Sequence, residues 1–251
     1  MTKPIAIIMA AGKGTRMKSD LPKVCHPVGG RAMVTAVVDS CLEAGCDRVV
    51  VVVGYKQELV REALAEYGDR VAFAVQEEQL GTGHAVVCAR AASEGFGERD
   101  TFVLAGDGPL IRASTLTTLL DRHRSTGAVA SLATSVLDDP TGYGRVVRDG
   151  GGGFERIVEQ KNASEAELAI REVNPSYYCF GVSHMFSALE RVEKNELTGE
   201  YYVTDIPAIL KGDGGRVEVV EAVPAEDVLS INTPEHLAVV DRMFRERRGA
   251  S

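Results

Sequence analysis

Ile5-Ala6-Ile7-Ile8-Met9-Ala10-Ala11-Gly12-Lys13-Gly14-Thr15-Arg16-Met17 runs from five consecutive apolar residues directly into a glycine-rich turn. The apolar run has strand length and no polar alternation, as a strand buried on both faces requires. Glycines after such a strand let backbone N–H groups come close to an anion, and lysine and arginine add charge. Residues 13–23 hold Lys13, Arg16, Lys18 and Lys23 against one acid, Asp20. The whole chain carries 28 Lys and Arg against 36 Asp and Glu, a net charge of −8. A cationic cluster in so acidic a chain points to an anionic ligand at the turn. The plainer alternative is a solvated glycine turn ringed by surface lysines.

Two familiar phosphate-binding motifs do not fit. A dinucleotide fingerprint needs a third glycine where Met17 stands, and an acid after the second strand where Gly54 and Tyr55 stand. A Walker loop needs four residues between its glycines and then Gly-Lys-Ser/Thr, which is absent.

Outward from the turn, strand and helix signals alternate. Val34, Val37, Val38 and Cys41 recur at helical spacing, and Val49–Val53 is a continuous run suited to a parallel sheet buried on both faces. Residues 57–67 are expected to be helical, 71–75 extended and 84–92 helical. Thr101–Ala105 is a further strand, followed by the helical series Leu116, Leu119, Leu120 and His123. Strand and helix in succession with short connections predict βαβ units with right-handed crossovers. From residue 128 the pattern loosens into short strands at 128–136, 144–148, 154–159 and 172–180, separated by turns such as Asp139-Pro140-Thr141-Gly142. Helices near 184–192 and 204–211 and a strand near 216–222 follow. A last helix starts at Pro234, with Thr233 as its cap.

The 251 residues, 45% hydrophobic and 25% charged, are enough for one large α/β domain that needs no disulfide or metal staple. The acidic balance argues against general nucleic-acid or anionic-membrane binding. No apolar run approaches the ~20 residues needed to span a bilayer, and no signal peptide is evident in the opening residues. Five scattered cysteines without a Cys-x-x-Cys pair suit reduced thiols in a cytoplasmic protein. The histidines form no zinc pattern. Arg242, Arg245, Arg247 and Arg248 suit the last turns of the final helix.

The string Ala10–Met17, continued by Leu21-Pro22-Lys23, resembles the signature of the sugar-nucleotide pyrophosphorylases. More closely, it resembles the uridylyltransferase domain of the bifunctional bacterial enzymes that make UDP-N-acetylglucosamine. The resemblance continues in family order through Glu78-Gln79-Leu80-Gly81-Thr82-Gly83-His84-Ala85, Gly106-Asp107-Gly108-Pro109-Leu110 and Asp139-Pro140-Thr141-Gly142-Tyr143-Gly144-Arg145. It resumes at Ile157–Lys161, Gly199–Asp205 and Ile231-Asn232-Thr233. It implies a three-layer, Rossmann-like α/β nucleotidyltransferase fold with a mixed, mostly parallel central sheet. That fold would form one domain over residues 1–251, with a nucleotide-binding half at about 1–127, a sugar-binding half at about 128–232 and a C-terminal helix at about 233–248.

The reaction implied is attack by a sugar-1-phosphate oxygen on the α-phosphorus of UTP, releasing pyrophosphate, with Mg2+ as cofactor. By the same resemblance Arg16 meets the β- and γ-phosphates and Lys23 the α-phosphate. Ala10, Ala11, Gly12, Gly14 and Thr15 form the nucleotide turn, and Gln79, Gly81 and Thr82 flank the base. Asp107 and Asn232 hold the metal; Gly144, Glu159, Asn174 and Thr204 line the sugar pocket. A carboxylate after a strand is where an open α/β sheet places its ligands, and one suits a hard cation. Taken alone, Asp107 is as readily a turn-forming aspartate and Glu159 an exposed strand residue.

The resemblance expects N-acetylglucosamine-1-phosphate as acceptor. It leaves two rivals open: a transferase for another sugar, such as glucose-1-phosphate with UTP or dTTP, and a non-catalytic nucleotide-sugar-binding regulator. Partners are therefore UTP and a sugar-1-phosphate, with no nucleic acid and no membrane; oligomeric state is left open. Two departures stand out. The bifunctional enzymes continue into a β-helix of hexapeptide repeats that carries acetyl transfer, and no such repeats occur in these residues, so acetyl transfer is not expected of them. The family also reads Asn-Thr-Gly where this chain has Asn174-Pro175-Ser176.

Overall fold

The computed structural model describes residues 2–93, 95 and 97–249; Met1, Glu94, Phe96, Ala250 and Ser251 lie outside the described residues. In chain order come β1 (Ile5–Met9), the short hairpin β2 (Pro27–Val28) and β3 (Arg31–Ala32), α1 (Met33–Glu43), β4 (Arg48–Val53), α2 (Gln57–Ala63) and β5 (Val71–Val75). Then follow α3 (Thr82–Cys88), α4 (Arg90–Ser93), β6 (Asp100–Ala105), α5 (Ala113–Thr126), β7 (Ala130–Val136), β8 (Gly144–Arg148) and β9 (Phe154–Val158). The chain closes with α6 (Glu165–Leu168), β10 (Glu172–Gly181), α7 (Val182–Leu189), α8 (Ile206–Gly212), β11 (Val217–Glu221) and α9 (Pro234–Gly249).

Alternation along the central strands feeds two separate cores. Ala6, Ile8, Val49, Val51, Phe102 and Leu104 face one apolar cluster, together with α1, α5 and α9. Ile5, Ile7, Val50, Val52 and Val103 face the other, together with α3, α7 and α8. The valine run at 49–53 is fully buried, and each such side chain contributes roughly 1.5–3 kcal/mol when taken from water. Helices on both faces of one sheet make the three-layer α/β fold that the residue pattern predicts.

The sheet order is β11-β7-β10-β6-β1-β4-β5. β1 runs parallel to β4 and β6, β4 parallel to β5, and β11 parallel to β7. The antiparallel pairings gather around β10, which runs against β6, β7 and β8; β9 pairs with β8. The chain leaves β1 toward β4 on one side and returns to β6 on the other. That reversal opens a crevice at the carboxyl ends of β1 and β6.

Some local expectations needed adjustment. The helix expected over 57–67 stops at Ala63, and a 3-10 stretch broken at Gly68 carries the chain to β5. The helix expected over 84–92 begins at Thr82 and divides at Ala89. β10 carries a register shift between Val173 and Tyr177, because Pro175 has no N–H to donate to the ladder. The hairpin β2–β3 and the capping box between Ser164 and Glu167 that starts α6 were not anticipated. Among the described residues no helix is long and apolar enough to cross a membrane.

Candidate active site

The turn after β1 is an extension of the sheet before it becomes a loop. Ala10 N donates to Val52 O at 2.9 Å, Tyr55 N to Ala11 O at 3.1 Å, and Gly106 N to Met9 O at 3.0 Å. The chain then turns through Gly14, which sits at φ 72°; a side chain there would bring its Cβ within 2.6 Å of Lys23 Cβ. Glycine at 14 therefore serves both the left-handed turn and the close approach of Lys23. Thr15 begins a 3-10 turn whose anchor is Met17, buried at the position where a dinucleotide motif would have glycine.

Four side chains meet at this turn. Lys23 Nζ is ion-paired with Asp107 Oδ2 and donates to Asn232 Oδ1 at 2.8 Å. Arg16 donates from its guanidinium to the same Asn232 Oδ1 at 2.7 Å. Asp107 follows β6 by two residues, and Asn232 stands just before α9. The two segments are tied at the backbone, where Ile231 N donates to Asp107 O at 3.0 Å. Thr233 caps α9, accepting from His236 N at 3.3 Å, and so holds Asn232 at the helix entrance.

These groups line part of a cleft of about 510 Å3. Ala10, Gly12, Arg16, Lys23, Thr82, Asp107 and Asn232 line it together with Gly144, Glu159 and Asn174. The turn at 79–83 is laced to residues 201–203. Tyr201 N donates to Leu80 O at 2.9 Å, Gly83 N to Tyr201 O at 2.8 Å and Val203 N to Thr82 Oγ1 at 3.0 Å. Gly81, at φ 105°, has Tyr201 O 2.5 Å from where a Cβ would stand. Its glycine is demanded by that neighbouring backbone. Gln79 is exposed, and its amide donates to Gln76 O at 3.3 Å.

Also in the cleft lining, Asn174 is buried with its amide engaged internally. Nδ2 donates to Tyr178 Oη at 2.6 Å, and Oδ1 accepts from Ser176 N at 3.2 Å. Glu159 directly follows β9, and burial raises its pKa above the usual carboxylate value; a hydrogen bond from Thr204 pulls it back, while Asp205 and Glu200 push it up. Thr204 is itself buried and stands behind Glu159 as its partner. Ser176 occupies φ 64°, the left-handed region that a glycine would take without strain.

Two further polar groups near these residues carry no motif that marks them. Gln76, directly after β5, is 3% exposed; its Nε2 donates to Gly81 O at 3.0 Å and lies 3.1 Å from His84 Nδ1. A polar residue at a strand's carboxyl end was the available signal. His236 lines the cleft, with Nδ1 3.2 Å from Ser230 O. Its place in the first turn after the Thr233 cap would have put it beside Asn232.

A family profile for the MobA-like NTP transferase domain matches residues 6–199. The chain belongs to this nucleotidyltransferase family. Within it, the chain is 46% identical over 249 residues to the bifunctional protein GlmU of Geobacillus sp. strain WCH70, a match covering 98% of this chain and 53% of that protein. It is 44% identical over 246 residues to the bifunctional protein GlmU of Desulfotalea psychrophila, covering 98% of this chain and 72% of that protein. The chain thus spans about half the length of the Geobacillus relative.

Proposed function

We propose that this chain transfers a uridylyl group from UTP to N-acetylglucosamine-1-phosphate, forming UDP-N-acetylglucosamine and releasing pyrophosphate. The observation that carries the reading is Lys23 Nζ, held between Asp107 and Asn232 in the cleft that Glu159 also lines. A sugar-phosphate oxygen attacks the α-phosphorus, the new P–O bond forms, and the bond to the β-phosphate oxygen breaks. Both reactants are polyanions, so positioning and charge do the catalysis and no covalent nucleophile is needed. Lys23 gives the α-phosphate a compact ammonium donor, and Arg16 gives the outgoing phosphates a planar one. Gly12 and the backbone around it leave room for the triphosphate. Glu159, positioned by Thr204, accepts from sugar hydroxyls, and Gly144 leaves space for the acetamido group.

The divalent-cation chemistry of the family also fits these residues. Asp107 and Asn232 offer one carboxylate and one amide oxygen, both hard donors, and the two already share a single cation, the Lys23 ammonium. Such a pair suits Mg2+, which takes a few protein oxygens and completes its shell with water and phosphate. Bound there, the ion would offset the charge of the reacting phosphates. The reading takes the chain as one nucleotidyltransferase unit acting in the cytoplasm on small-molecule substrates.

A pyrophosphate-release screen of nucleoside triphosphates against sugar-1-phosphates tests it. UTP with N-acetylglucosamine-1-phosphate should give the highest kcat/KM. Preference for glucose-1-phosphate or for dTTP would install the rival transferase. Binding of UDP-N-acetylglucosamine without any pyrophosphate release would make the chain a regulator.

A further inference from the structure

Tyr177 lies on β10 opposite Leu104 of β6 and is 1% exposed. Its ring belongs to the apolar cluster on the α1 and α5 side of the sheet. Its hydroxyl is buried and has no hydrogen-bond partner. The neighbouring Tyr178, on the other face, accepts from Asn174. An unbonded hydroxyl in the interior is unfavourable, and phenylalanine would fill the same space without that penalty.

The position of the hydroxyl is informative. A Cβ on Gly108 would stand 2.5 Å from Tyr177 Oη, while the nearest ring carbons would be at 3.4 and 3.6 Å. The hydroxyl therefore fits under the Asp107-Gly108 turn only because residue 108 has no side chain. Burial first, and then the nearby charges of Asp107 and Asp227, hold the phenol well above the usual tyrosine range. The group stays an O–H donor throughout the working pH range, and the turn beside it carries an acid.

We infer that Tyr177 is a positioning residue for Asp107: its hydroxyl donates to the carboxylate and holds it toward the cation when Lys23 no longer does. In the present arrangement Asp107 is oriented by Lys23. Once Lys23 turns to a substrate phosphate, the carboxylate needs another donor, and the unspent hydroxyl under the turn supplies it. Partners of this kind fix the geometry of metal-binding carboxylates, and their removal weakens metal affinity about 10–100-fold. The inference rests on the reading of Asp107 as a Mg2+ ligand.

The test is calorimetric titration of Mg2+ into the full chain with UTP and no acceptor, alongside thermal unfolding without metal. Tyr177→Phe should weaken Mg2+ about tenfold while the metal-free melting temperature stays level or rises. Gly108→Ala should weaken Mg2+ similarly, because its Cβ displaces the hydroxyl. The double variant should be no weaker than Tyr177→Phe alone, since the Cβ then faces ring carbons at contact distance. Unchanged Mg2+ affinity in Tyr177→Phe, or independent addition of the two effects, overturns the inference. A lowered melting temperature with unchanged Mg2+ affinity does the same, and assigns the hydroxyl to the fold. Asp107→Ala separates the two readings: wild-type Mg2+ affinity there removes the metal site itself. Lost affinity there, with Tyr177→Phe unaffected, removes only the role of Tyr177.

Discussion

Ile231 donates its backbone N–H to the carbonyl of Asp107 at 3.0 Å. This one bond joins the loop after β6 to the segment entering α9 and sets Asn232 beside Asp107. The arrangement puts a charged and a neutral oxygen donor on one cation, so their losses should differ. Asp107→Ala should lower pyrophosphate release roughly a hundredfold or more, and Asn232→Ala should be several-fold milder. Normal turnover by a folded Asp107→Ala variant would remove the proposed metal site.

Lys23→Ala should act on kcat more than on the KM for UTP, because the contact proposed for it with the α-phosphate would strengthen as charge develops. A loss of about a hundredfold in kcat is the scale of one such donor. Steady-state kinetics decide the matter: a change confined to KM would reassign Lys23 to ground-state binding.

The proposed nucleotide-binding region offers a comparison of two glutamines. Gln79 is exposed and bonded to a backbone carbonyl, whereas Gln76 is buried and supports the carbonyl of Gly81. Gln76→Ala should therefore raise the dissociation constant for UTP more than Gln79→Ala does. About 1 kcal/mol per lost hydrogen bond corresponds to a several-fold change. The reverse ranking in calorimetry would put the base at Gln79, as the sequence resemblance implies.

Ser176 holds a left-handed backbone at φ 64°. Ser176→Gly should relieve roughly 1 kcal/mol of strain, reduced by the greater freedom of glycine in the unfolded chain. The melting temperature should rise by up to about 2–4 °C. N-acetylglucosamine-1-phosphate should remain the best acceptor in the wild-type chain, with broader tolerance of related hexose-1-phosphates. A glucose-1-phosphate efficiency above that of the N-acetylated sugar would reverse this ranking.

Glu159 gives a pH signature. Burial raises its folded-state pKa above the ordinary glutamate value of 4.5, so between the two values the native state binds more protons than the unfolded one. The stability contributed by this group is present below 4.5 and is lost as pH rises through the folded pKa. Binding of UDP-N-acetylglucosamine should strengthen over the same window, because the ionised carboxylate is the better acceptor. Glu159→Gln should flatten both profiles; a binding profile that kept its slope in the variant would exclude Glu159 as the titrating group.

Much of the fold was readable along the chain because its signals are local. Continuous apolar runs at 5–9 and 49–53, helical spacing from Val34 to Cys41, and Thr233-Pro234 at a helix start each depend on neighbouring residues. Boundaries moved where a distant contact outranked local preference. Thr82 starts α3 because its hydroxyl accepts from Val203, 121 positions away. Within the site, the turn and its cations were legible, but the reasons for individual residues were not. At Gly81, for instance, the motif carries no sign that the Tyr201 backbone also forbids a side chain there.

The sequence by itself determined the alternation of strands and helices, the cationic turn after β1 and the order of motifs that marks the family. Periodicity and turn chemistry act over a few residues, so they can be read without coordinates. Only the tertiary structure decided that Asp107 and Asn232, 125 positions apart, share Lys23, that Thr204 stands behind Glu159, and that the hydroxyl of Tyr177 lies under Gly108. Those relations depend on where sheet order and crossovers bring distant segments together. Residue spacing along the chain carries no measure of such a distance.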